Sequence, residues 1–85
     1  MEWEPRAEDR FRRLLLQLDK RIREDHEARA RPMAEVHARA HGVTRVNVDA
    51  AIIGFVKAAG TMDKPAVKAA LSRQGISPQD YDDFF

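Results

Sequence analysis

Between Ala34 and Ala58 a boundary signal stands at each point where a helix must stop or start, and no other stretch restricts the fold as much. Gly42 is the residue type that closes helices, because it enters the left-handed conformation without the penalty a Cβ brings. Val43 to Val46 is too short to make a sheet of its own. Asn47 follows as a good N-cap, since its side-chain oxygen can accept from the backbone N–H groups that a first helical turn leaves unbonded. Asp49 then falls in that first turn, at the positive end of the helix dipole. The run reads as helix, glycine turn, short extended step, helix.

Upstream, Trp3, Ala7, Phe11, Leu14, Leu15, Leu18 and Ile22 recur at spacings of three and four, the signature of an amphipathic first helix. Pro5 suits its first turn, and Glu8 and Asp9 suit its positive end. The apolar stripe then thins to His26, Ala30, Met33, Val36 and Ala40, with Pro32 interrupting. A proline inside a helix removes a backbone bond and clashes with the preceding turn, at a cost of ~3 kcal/mol. The first helix is therefore expected to end or kink near Ala30. Pro32 would then open a second helix that turns Met33, Val36 and Ala40 inward.

The third helix places Val48, Ile52, Phe55, Val56 and Ala59 on one face with Ala51 and Ile53 beside them, and reads as the central core helix, closed by Gly60. Asp63 is the expected cap of a fourth helix, with Pro65 in its first turn, Val67, Ala70 and Leu71 inward, and Gly75 at its end. Ser77, Pro78 and Asp80 then form a capping pattern for a short terminal turn that carries Tyr81, Phe84 and Phe85. The expected fold is all-α: one domain over residues 1–85, a small bundle of about four helices with a short extended segment before helix 3.

A length of 85 residues is near the size where one hydrophobic core gives only marginal stability. With 44% hydrophobic and 34% charged residues the composition is that of a soluble globular chain, neither disordered nor membrane-spanning. No apolar run is long enough to cross a bilayer, so no membrane is expected and a cytoplasmic location follows by default. Cysteine is absent, which removes disulfides and thiolate chemistry. Fifteen basic residues against 14 acidic ones leave no block of a single sign, so nucleic acid is not the expected partner.

Trp3 with Ala7, an arginine-rich helix, Ala38 with Gly42, and then Val46, Asn47 and Asp49 make a pattern that resembles one known family. It is similar to the small helical domain at the C-terminus of the B subunit of light-independent protochlorophyllide reductase and to short stand-alone bacterial relatives of that domain. Asn47 stands where the family usually has threonine, a sensible exchange of one cap for another. The family's Pro-Phe-Phe-Val-Arg stretch is replaced here by Leu16-Gln17-Leu18-Asp19-Lys20-Arg21, with an apparent insertion before Pro32. The resemblance covers residues 3–60. It implies an accessory or docking module associated with a larger enzyme complex, with no catalytic residue of its own.

Among side chains able to do chemistry, His37 and His41 lie four apart on one helix face, the spacing a helical metal site requires. The metalloprotease form needs glutamate directly after the first histidine, and Ala38 stands there. The Glu-x-x-His of di-iron bundles is missing as well. No serine or threonine belongs to a nucleophile motif, and the four glycines are too scattered to cradle phosphate. A helix-turn-helix reading for nucleic acid, with Arg39, Arg45 and Lys57 nearby, meets a third helix that is mostly apolar where a recognition helix must be polar. Tyr81, Phe84 and Phe85, at the chain end, are either core or a docking element. The expectation is a non-catalytic interaction module without a cofactor, whose partner is a protein or a second copy. A metal protein built on His37 and His41 is the alternative.

Overall fold

The break between the first two helices comes at Asp19. In the computed structural model, which describes residues 1–85, α1 spans Pro5–Leu16 and α2 spans Lys20–Ala40 without interruption at Pro32. Asp19 caps α2: its Oδ1 accepts the Arg21 backbone N–H at 2.8 Å. The Arg23 guanidinium closes the other side of the break, donating to the Leu15 and Leu18 carbonyls at 3.0 and 3.1 Å. Pro32 costs α2 little, because Pro32 and Ala28 both face solvent and the carbonyl left without its helical donor can bond water. The expected end or kink near Ala30 is thus corrected.

The inward face of α2 also differs from the expected one. His26, Ala30, Ala34 and Ala38, four residues apart, are buried, while Met33, Val36 and Ala40 point out. The reason lies in α3 (Val48–Lys57), which meets α2 at Gly54. A Cβ added to Gly54 would stand 2.6 Å from the Ala34 Cβ and 2.7 Å from the Ala30 carbonyl oxygen. The two backbones approach so closely that only alanine fits between them. Every residue of α3 from Ala50 to Val56 is buried, which bears out its reading as the central helix.

Asn47 caps α3 as expected, accepting the Ala50 N–H at 2.8 Å. Gly42 takes the left-handed conformation at φ 71° after α2, and Gly75 does so at φ 74° after α4 (Lys64–Arg73). Asp63 and Ser77 occupy the expected cap positions, but neither side chain makes a capping bond. The extended step before α3 pairs with the N-terminal residues rather than standing alone: Val46 exchanges backbone bonds of 2.9 Å with Glu2 and Glu4 beside Trp3. The chain ends in a 3-10 helix, Pro78–Phe84, laid against α3 and α4. One hydrophobic core unites all four α-helices around Phe11, Leu14, Phe55, Val56 and Leu71.

Candidate functional site

The two histidines spaced for a metal stack on one another, ring centroids 4.1 Å apart. The His41 Nδ1–H donates to the His37 carbonyl at 3.0 Å, which binds one ring to its own helix. Partial burial, with the charges of His41 and Lys57 added, pushes His37 below the usual histidine range. No third histidine or carboxylate joins the pair at metal-binding distance. His26, three turns upstream on α2, is buried in the α2–α3 seam and does not join them: its Nε2–H donates to the Phe55 carbonyl at 2.8 Å.

The C-terminal aromatics are half-buried against the core. The Phe84 ring meets His37 edge-on at 5.8 Å and lies beneath the Lys57 ammonium at 5.4 Å. Phe85 is covered by Lys68 at 5.2 Å, and the Tyr81 hydroxyl donates to Asp49 at 3.2 Å. Burial and the neighbouring Asp49 carboxylate raise the Tyr81 phenol above its ordinary range. These contacts make the tail part of the packed structure, with all three rings half-buried.

Sequence reasoning missed an arginine cluster at the other flank of α2. Arg31 lies over the rings of Trp3 and Phe11, at 4.8 and 4.9 Å, and pairs with Glu8 at 2.7 Å and Glu27 at 2.8 Å. The Trp3 indole N–H donates to Glu35 at 3.1 Å. Hydrogen bonding from Arg31 holds the Glu8 carboxyl below its usual range, and the pairing raises Arg31 in turn. A planar guanidinium satisfied by two carboxylates and packed against two rings that themselves meet edge-on pins the N-terminus to α2. The Glu27–Arg31 spacing of four was legible in the sequence, but the Glu8 partner 23 residues away was not.

What remains open to solvent is an apolar groove lined by Pro32, Met33, Val36 and Lys57. Val36 is 59% exposed and Met33 37%, and unlike the more exposed Leu16 and Met62 they line one groove together. The one charged residue in the lining is cationic, and its ammonium bridges from the groove to Phe84. On the helix-turn-helix reading, α3 would enter the DNA groove, yet it is buried from Ala50 to Val56 and presents no reading face. No helix is long and apolar enough to cross a membrane. Compared with protein-family models, curated proteins and solved structures, the chain matches none.

Proposed function

We propose that this chain is a small non-catalytic helical module that works by binding another protein through the outer face of α2. The observation that carries this reading is the division of labour on that helix. Its ionisable groups at the α1 flank are spent holding the fold together, as Arg31 with Glu8 and Glu27 shows, while Met33 and Val36 lie outside the buried core cluster and are exposed. The partner fitting such a groove is an amphipathic segment with apolar side chains at helical spacing and an acidic neighbour for Lys57. The resemblance to the reductase-associated domain supplies the wider setting, a larger enzyme complex to which the module is accessory.

A photo-crosslinking amino acid placed at Val36, with the same group at Arg13 on α1 as the comparison, tests the reading in cells that make the protein. The expected result is one partner crosslinked from position 36 and not from 13, identified by mass spectrometry and bound again when both proteins are purified. Crosslinking from 13 alone, or none from either position, contradicts it.

A further inference from the structure

We propose that His26 is a proton-operated catch on the seam between α2 and α3, closing it when neutral and loosening it when protonated. The ring is fully buried, 0% exposed, and stands edge-on to Phe55 with centroids 4.9 Å apart. A carbonyl oxygen can only accept, so the 2.8 Å contact with the Phe55 carbonyl fixes the tautomer with its proton on Nε2. That carbonyl needs a donor from outside its helix: at the end of α3 the Ala59 N–H that would bond it turns to Val56 instead. His26 therefore closes the C-terminus of α3, and Arg29, one turn on, does the same for the Ala58 carbonyl at 3.3 Å.

Nδ1 is buried with no hydrogen-bond partner. In the neutral ring this atom is an acceptor without a donor, a modest cost. In the imidazolium it is a charged N–H, fully buried and with nothing to receive it. Two charged groups act on the ring, Arg29 of α2, which opposes protonation, and Asp63 before α4, which favours it. Burial outweighs both the carbonyl and Asp63, so the folded protein holds His26 below its ordinary range. The unfolded chain, with its histidine at about 6.5, then binds the extra proton. Stability contributed by the neutral ring is present above about pH 6.5 and is lost as pH falls below it, until the folded-state ring itself titrates.

The test is urea unfolding as a function of pH in a His37→Gln/His41→Gln background, which removes the other two histidines. As pH falls below about 6.5 the unfolding equilibrium constant should rise, by at most about tenfold per pH unit, the limiting slope of one proton, and level off where the folded-state ring titrates. His26→Gln, whose amide can still donate to the Phe55 carbonyl, should abolish that slope. Should the glutamine variant fail to fold, nuclear magnetic resonance of the wild-type ring decides. The ring should stay neutral below pH 6.5 while the protein is folded, and the hydrogen-exchange protection factors at the end of α3, corrected for the intrinsic pH dependence of exchange, should fall on acidification. An unchanged slope in the glutamine variant, or a ring that titrates at 6.5 in an intact fold, overturns the proposal.

Discussion

The two faces of α2 carry opposite kinds of side chain from what their surroundings would lead one to expect. The buried face holds His26, Ala30, Ala34 and Ala38, and the solvent face holds Pro32, Met33 and Val36. The difference teaches that burial here is limited by space before it is limited by hydrophobicity. With Gly54 of α3 pressed against Ala30 and Ala34, a methionine or valine on the inner face would have to push two backbones apart. The larger apolar residues are left outside, where they cost solubility and offer a partner something to hold.

The largest effect that would break this comparison is at the seam's one large ring. Phe55 is fully buried, edge-on to both Phe11 and His26. Phe55→Ala should cost about 3 to 5 kcal/mol in denaturant unfolding, and a loss below about 1 kcal/mol would mean that the alanine seam carries the fold without it. A smaller effect is expected at the far end of the groove. Deleting Tyr81 to Phe85 removes the Phe84 contacts with His37 and Lys57 and the Tyr81 bond to Asp49. It should lower Tm by about 4 to 8 °C, the shift that about 1 kcal/mol produces in a domain of this size, without changing the sedimentation mass. An unchanged Tm, or a change in mass, would show that the rings serve an interface between chains.

Much of the fold was written locally and was legible for that reason. Gly42 and Asn47 act through their own backbone neighbours, so their roles can be read one residue at a time. The break at Asp19 was hidden because Leu18 and Ile22 continue the apolar spacing across it, and because Pro32 looked the more disruptive residue. Proline's cost depends on whether the freed carbonyl meets water, which the sequence does not reveal. The inward alanines and the buried His26 were hidden for a different reason. Their burial is set by how close α3 comes, and that is decided by a glycine 20 residues beyond Ala34. The same holds for the groove, which exists because Met33 and Val36 were excluded from a core that hydropathy alone would have assigned them to.

The most direct measurement is a pair of urea unfolding curves for Ala34→Val and for Met33→Ala/Val36→Ala. Adding two methyl groups at the seam should destabilise by about 1 to 3 kcal/mol, through overpacking against α3. Truncating both outer residues should change stability by no more than about 0.5 kcal/mol, as for a surface away from the core. The reverse order, a tolerated valine at 34 and a costly loss of Met33 and Val36, would contradict the account and restore those two residues to the core.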